Sequence, residues 1–382
     1  MPTPLRIGVN ALYLIPGGVG GTEIYLRNLL AALAQVDRRN QYFVFVNRET
    51  GPDLCPKTQN FQAVETGVRA KFRPGRLIWE QLGLPFATRK AKLDVLFNAG
   101  FTTPWMSSGA RVTVIHDLQH KRQPGNFGFF ERMAWNASVG LAVRRSSRLV
   151  TVSDNSKRDI EKFYEVEPEK IHVVHHGVED SFRGLLSNRS FGPSLLQEAG
   201  LPEAPYLLAV STLHPHKNWD RLLEAFERLR SQGQELDLAI CGLPGKSWDI
   251  IHKRLEGSDL EKHVHLLGWQ PRRCVIGLFK YAEALVFPST FEGFGMPVAE
   301  ALTAGVPVAC SDIAPLREVA GDCASYFDPS SSDAIADSIH SLLGDAALRA
   351  DMAARGIERA TQFTWRRAAE QTLAVLLEAG RY

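Results

Sequence analysis

Short runs of β-branched and aromatic residues alternate along the chain with longer stretches whose apolar positions follow the helical period. The first set of runs predicts strands over residues 6–9, 42–46, 95–97, 112–115, 149–152 and 171–174. Helices are predicted between them, over 23–33 and 155–163. The pattern then restarts. Residues 206–210, 236–240, 264–267, 284–287 and 306–310 read as strands, and 219–230, 276–281 and 298–303 as helices. Such alternation implies parallel sheets with helices on both faces, and two rounds of it imply two domains. The join is expected within 180–205, where SNRSFGPS and LPEAP carry no sustained apolar period. In two facing α/β domains, ligands lie in a central cleft at the carboxyl ends of the strands.

Composition changes this picture little. Of 382 residues, 45% are hydrophobic and 23% charged, ordinary values that exclude disorder or a fibrous repeat. The net charge of +2 hides an asymmetry. Residues 1–185 hold 25 Lys and Arg against 17 Asp and Glu, whereas the remainder holds 19 against 25. The first half is therefore the one expected to meet something anionic. Five scattered cysteines (Cys55, Cys241, Cys274, Cys310 and Cys323) form no CxxC pair, which speaks against a disulfide framework or a zinc site and for a reducing cytoplasm. No apolar run approaches the ~18 residues of a membrane span, and LRIGVNALYL begins a strand with no signal peptide ahead of it. The expected location is cytoplasmic, at most peripheral at the inner face of the membrane.

The densest chemistry lies in Phe291-Glu-Gly-Phe-Gly-Met-Pro-Val-Ala-Glu300, between a predicted strand and a predicted helix. Pro297 suits the first helical turn, Gly305 the end of the helix and Pro307 the chain beyond it. Gly293 and Gly295 allow close approach of backbone to a ligand, and a helix start favours anions. Glu292 and Glu300 flank the turn as paired acceptors, suited to neighbouring hydroxyls on a sugar and a ribose. A second strand-to-helix turn reads Ser211-Thr-Leu-His-Pro-His-Lys-Asn218. Asn218 is placed to cap the following helix, with Trp219, Leu222, Leu223 and Phe226 as its buried stripe. Lys217 at a helix start is unfavourable unless an anion such as a diphosphate lies between them.

EGFGMPVAEALTAGVPVACSD, preceded by GWQPRRCVIGLFKYAEALVFPS, strongly resembles the donor site of retaining glycosyltransferases of family 4, also called glycosyl transferases group 1. The resemblance implies the GT-B fold, two Rossmann-like domains facing a central cleft. It implies an acceptor-binding domain over 1–185, joined by a crossover helix over 365–382, and a donor-binding domain over 186–364. By the same resemblance Glu292 contacts the transferred sugar, Phe294, Gly295 and Met296 offer backbone amides, Glu300 holds the ribose diol and Lys217 clamps the diphosphate. Relatives carry an Arg five residues before that Lys, where this chain has Thr212. His214, His216 or Arg221 is then left to supply the second phosphate contact.

Pro16-Gly-Gly-Val-Gly-Gly-Thr-Glu23 fails the GxGxxG spacing of a dinucleotide loop, which speaks against a nicotinamide dehydrogenase. It resembles instead the Gly-Gly-x-Glu turn of the family, in which Gly20 and Gly21, or Gly17 and Gly18, approach the donor phosphate. VTVIHDL resembles the family strand whose His lies beside the reacting carbon, here His116, followed by Asp117 as a loop-orienting residue. KIHVVHHGVED has His176 where the family has Asn, and His172, His175 and His176 read as strand-end packing rather than as a metal site. No Asp-x-Asp pair occurs, so the expected chemistry is metal-independent and needs no cofactor beyond a GDP- or UDP-sugar donor.

Residues 69–92 carry seven Lys and Arg against one Glu, and residues 120–148 six against one, interleaved with aromatics. This suits an anionic membrane surface or a lipid-linked acceptor, and no nucleic acid is expected. The activity implied is transfer of a hexose, mannose by the likeness of HPHKN, to a hydroxyl of a glycan or lipid-linked acceptor in polysaccharide or glycolipid assembly. Two alternatives remain at this level, an epimerase or phosphorylase-like enzyme and a silent donor-binding subunit.

Overall fold

The computed structural model describes residues 3–18, 20–188 and 191–381. The chain divides into two units, Met1–Gly177 with Thr364–Tyr382, and Val178–Phe363. The first unit holds a sheet of seven strands: β1 Arg6–Asn10, β2 Gln41–Val46, β3 Phe61–Glu65, β4 Val95–Asn98, β5 Ala110–Val114, β6 Arg148–Thr151 and β7 Ile171–Val173. Their order is β3-β2-β1-β4-β5-β6-β7, and every pair is parallel. The second unit repeats the design with β8 Tyr206–Val210, β9 Asp237–Cys241, β10 Val264–Gly268, β11 Ala284–Phe287, β12 Val308–Ser311 and β13 Ser325–Phe327. Its order is β10-β9-β8-β11-β12-β13, again parallel throughout. Both orders reverse direction beside their first strand, as in Rossmann folds, and this switch point is where such sheets hold ligands.

Burial explains why the strands lack alternation. Both faces of each sheet are covered, so β4, β9, β11 and β12 are buried at every position. In the second unit Leu222, Leu223 and Phe226 of the helix Trp219–Ser231 pack with Leu238, Ile240 and Val286 of the sheet. All five cysteines are buried free thiols.

The expected boundary at 185/186 lies instead at 177/178. The segment taken for a linker is largely ordered and packed on the second unit. Phe182 meets Phe279 edge to face at 5.3 Å, and both Lys280 and Tyr281 donate to the Phe191 carbonyl at 2.9 Å. Residues 189–190 of that segment lie outside the described residues. At the far end Phe363 stays with the second unit, its carbonyl accepting from the Val178 amide at 3.0 Å.

The helix Trp365–Ala379 joins the first unit, as expected for the crossover helix. Thr364 caps it by accepting from the Arg367 amide at 3.1 Å. Its buried side is Trp365, Ala368, Ala369, Thr372, Val375, Leu376 and Ala379. Gly177 permits this seat, because a Cβ on it would lie 2.1 Å from the Trp365 nitrogen. Glu378 ends the helix against Arg148, accepting at 2.9 Å.

Candidate functional site

In the second unit the loops after β8, β9, β10 and β11 leave the same edge of the sheet. Backbone contacts sew the first and last together: the Thr290 amide and hydroxyl both donate to the His216 carbonyl, at 2.8 and 3.1 Å. Asn218 is in the left-handed region at φ 62° and makes no cap. That conformation turns its amide away from the helix start, and it donates to the carbonyls of Pro288 and Pro329 at 3.1 and 2.7 Å. The expected capping role is thus replaced by a cross-link between loops.

This stitching brings together two predicted residues 75 positions apart. Lys217 donates to Glu292 at 2.6 Å, with the two side chains only 14% and 11% exposed. The Lys217 ammonium also lies 5.5 Å from the Phe287 ring centroid. The lysine is therefore no surface residue, and a carboxylate holds it aimed at the loop it shares with the glycine turn.

The turn itself is fixed by Gly295. Its φ of 103° is open only to glycine, and a Cβ there would lie 2.5 Å from Leu316. Phe294 anchors the turn from below, buried and edge-on to Phe363 at 5.6 Å. The helix Met296–Ala304 then starts with Pro297 in its first turn and closes on Gly305 at φ 74°, both as expected. Its first N–H groups have no acceptor within the helix and confer partial positive charge on the turn.

Glu300 departs from the simple picture of an open ribose acceptor. It is almost wholly buried and ion-paired with Arg272, which also donates to Glu179 at 2.6 Å. The guanidinium stacks 4.8 Å from the Phe182 ring. Burial raises the Glu300 carboxyl above its usual range against the opposing pull of Arg272. Two carboxylates keep the arginine charged despite its own burial. Arg272 was missed in the sequence, where nothing separates it from Arg273 beside it; that neighbour pairs with Glu198 on the surface.

The Thr212 question receives a partial answer. Arg221 pairs outward with Glu224 at 2.8 Å, so it does not reach into the loop. His214 and His216 stack at 5.9 Å, and burial followed by the Lys217 charge lowers both, His216 to about 3. Neither carries positive charge at neutral pH. Gly242 and Gly245 press the β9 loop against this one, for Cβ atoms there would lie 1.9 and 2.4 Å from the Ser211 and Leu213 carbonyls. The Lys246 amide consequently donates to His214 Nδ1 at 3.4 Å, and Lys246 is the next cation on this edge.

The first unit holds the remaining predicted residues. His116 follows β5 and is buried among Tyr25, Phe101 and His176, with ring centroids 4.9, 5.3 and 5.7 Å away. Its Nε2 donates to the Ala99 carbonyl at 3.2 Å, and burial lowers it to about 4. The imidazole is neutral, with Nδ1 as an acceptor. Asp117 accepts from the Gln119 amide at 3.0 Å, the loop-orienting role expected of it.

Gly20 stands before the helix Gly21–Val36 at φ 58°, ψ −129°, a region reserved for glycine, and Gly17 is also positive at φ 68°. A Cβ on Gly21 would meet open space. Glu23 ties the loop by accepting from the Gly17 amide and from Arg27, both at 2.7 Å. The histidines of KIHVVHH disperse: His172 faces Glu378 at 3.8 Å, while His176 packs beside Tyr25 and Trp365. Among the described residues no three His, Cys, Asp or Glu side chains gather as a metal site.

Comparison with known proteins follows the same division. Residues 19–182 match the family described as Glycosyltransferase Family 4, and residues 195–359 match Glycosyl transferases group 1. The O-antigen chain mannosyltransferase B of Escherichia coli is 31% identical over 263 residues, covering 69% of this chain and 68% of that one. Among solved structures, sucrose-phosphate synthase from Thermosynechococcus elongatus superposes with a TM-score of 0.78 at 16% identity over 98% of both chains. Anabaena HepE in complex with UDP and glucose gives 0.74 at 19% identity, over 98% of this chain and all of that one. These structural likenesses establish the fold as GT-B. The two domain matches and the 31% identical relative show that the chain is a glycosyltransferase and belongs to family 4, the group 1 glycosyl transferases.

Proposed function

We propose that this glycosyltransferase moves a mannose-type hexose from a nucleotide diphosphate sugar to a hydroxyl of a glycan or lipid-linked acceptor, with retention, in polysaccharide assembly. The observation that carries the donor reading is the largely buried Lys217–Glu292 pair at 2.6 Å beside the Gly295 turn. An ammonium, a carboxylate and a helix start at one sheet edge can meet a diphosphate and the sugar it carries. Mannose is favoured by the relative named as an O-antigen mannosyltransferase, and the donor is read as a GDP- or UDP-sugar.

In the proposed step the bond between the anomeric carbon and the diphosphate oxygen breaks. The acceptor oxygen bonds to that carbon on the same face, and its proton passes to the leaving phosphate oxygen. Lys217 and the helix N–H groups hold the developing charge on the diphosphate, with no divalent cation assigned. Glu292 accepts from a sugar hydroxyl, and Glu300, steadied by Arg272, from the ribose. Neutral His116 offers Nδ1 to a hydroxyl. Thr212 and the Gly20–Gly21 turn are assigned to phosphate approach.

Incubation with GDP-mannose, UDP-glucose or UDP-galactose and a panel of lipid-linked glycans tests this by mass spectrometry. The expected result is one added hexose, its anomeric configuration retained by NMR, at a rate unchanged by EDTA. Turnover of the donor without an acceptor, or an inverted product, contradicts it. Where the acceptor is lipid-linked, an anionic membrane surface is the place to meet it.

A further inference from the structure

The helix Arg73–Lys90 is amphipathic the wrong way round for a protein surface. Glu80 and Thr88 face inward with Leu84, all three buried, while Ile78, Leu82 and Phe86 stand outward at 61, 73 and 72% exposure. Four-residue spacing lines these three along one side of the helix. Phe72 at its start is likewise exposed. The inward polarity has partners, since Glu80 accepts from Asn10 at 3.3 Å and its charge is balanced by Arg76. The outward apolar stripe has none among the described residues of this unit.

The stripe extends beyond one helix. Of the thirteen exposed large apolar side chains among the described residues, nine lie within residues 72–133. Gln81 fastens the next segment to the helix, donating to the Thr103 carbonyl at 3.1 Å and accepting from the Trp105 amide at 2.8 Å, and this presents Trp105 and Met106. The Arg73 guanidinium stacks 5.4 Å from the Trp135 ring, which brings the helix Phe129–Arg145 alongside with Phe129, Phe130 and Met133 exposed. Arg145 in turn covers Trp105 at 4.1 Å. At the start of the helix Arg73–Lys90 an open hollow of about 570 Å³ is lined by Arg48, Glu49, Arg69, Lys71 and Phe72. Glu49 is engaged by the Ala70 and Lys71 amides at 2.8 and 3.2 Å, which keep it ionised, so the hollow sets three cations against one carboxylate and is net positive.

We propose that this face docks on an anionic lipid bilayer. Ile78, Leu82, Phe86 and their aromatic neighbours enter the headgroup boundary, and the hollow of Arg48, Arg69 and Lys71 seats a lipid phosphate. Charge selects this occupant. Residues 69–92 carry seven basic side chains against one acidic, and 120–148 six against one, so a second copy would set like charge against like. An anionic membrane answers both the apolar stripe and the surrounding cations. The inference names the surface that would bring the first unit to the lipid-linked acceptor read above, and rests on that reading only for its purpose.

Flotation of the full chain with vesicles tests it, using phosphatidylcholine alone or an equal mixture with phosphatidylglycerol. The mixed vesicles are expected to bind roughly tenfold or more tightly than the neutral ones, and half-molar salt is expected to weaken this binding. Leu82→Asp with Phe86→Asp should abolish flotation, and Arg69→Gln with Lys71→Gln should reduce it severalfold. Circular dichroism and the nucleotide-induced thermal shift should stay as in wild type, since the altered side chains are on the surface. The shift reports the donor site alone, so loss of flotation and loss of donor binding are read separately. Equal binding to neutral vesicles, no binding, or a dimer that the Leu82 and Phe86 variant dissociates without any vesicle binding overturns the proposal.

Discussion

Lys217 and Glu292 are 75 residues apart in sequence and 2.6 Å apart in space, each the main charged partner of the other. In the proposed mechanism both touch the donor, so their loss has different signatures. Lys217→Ala removes charge stabilisation of the leaving group, and kcat is expected to fall about 10²–10³-fold, the range seen for a single transition-state contact. Glu292→Gln keeps shape and removes charge, leaving the largely buried Lys217 ammonium without its counter-charge. It is expected to weaken sugar binding and to lower stability by about 1–2 kcal/mol, the cost of losing a charge-assisted hydrogen bond. Steady-state kinetics and thermal unfolding of the two variants check this.

His116 makes a prediction about pH. Its folded value of about 4 lies below its ordinary value near 6.5, because burial disfavours the cation. Between these values the unfolded chain binds the proton and the folded one does not. Its contribution to stability is therefore complete above pH 6.5 and is lost as the pH falls toward 4. Buried His120, also about 4, and His176 act in the same direction, whereas the raised carboxyl of Glu80 opposes them. Replacing His116 with Asn should flatten the fall of the unfolding midpoint over this window. An unchanged slope would show that His116 is charged in the fold.

At the scale of elements, the turn from β11 into the helix Met296–Ala304 depends on one backbone position. Gly295→Ala meets both a forbidden φ and Leu316 at 2.5 Å, so it is expected to cost about 2 kcal/mol or more, together with donor binding. The helix Arg272–Tyr281 contributes through its first residue. Arg272→Leu leaves Glu179 and buried Glu300 without their cation, and about 3–5 kcal/mol of destabilisation is expected, read as a lower denaturation midpoint at unchanged m-value.

Elements differed in how legible they were. Strands buried on both faces announce themselves as apolar runs, and glycine and proline mark the turn at 293–297. β3, with the sequence FQAVE, and β13, only three residues long, give no such run and were missed. The helix Arg73–Lys90 was hidden by its inverted pattern, since its inward positions are the polar ones. Asn218 was read as a cap because its residue type fits one; its left-handed backbone, invisible in sequence, sends the amide elsewhere. Glu300 was legible as a site residue, but not its ion pair, because Arg272 opens a different helix with no local signature.

For the whole molecule, a double round of strand and helix is enough to predict two Rossmann units, and the return of the last helix to the first unit follows from family resemblance. What sequence could not fix is where the chain passes between units, since residues 178–187 form short turns whose packing, Phe182 on Phe279, decides their allegiance. The central claim is that the second unit binds a nucleotide diphosphate sugar through Lys217 and the Gly295 turn. The most direct measurement is the thermal shift of the full chain with GDP and with UDP, in wild type and Lys217→Ala. At a hundred times Kd a ligand adds about 2.7 kcal/mol, so one nucleotide should raise the wild-type midpoint clearly and that of the variant far less. No shift with either nucleotide, or an equal shift in the variant, would contradict the donor site described.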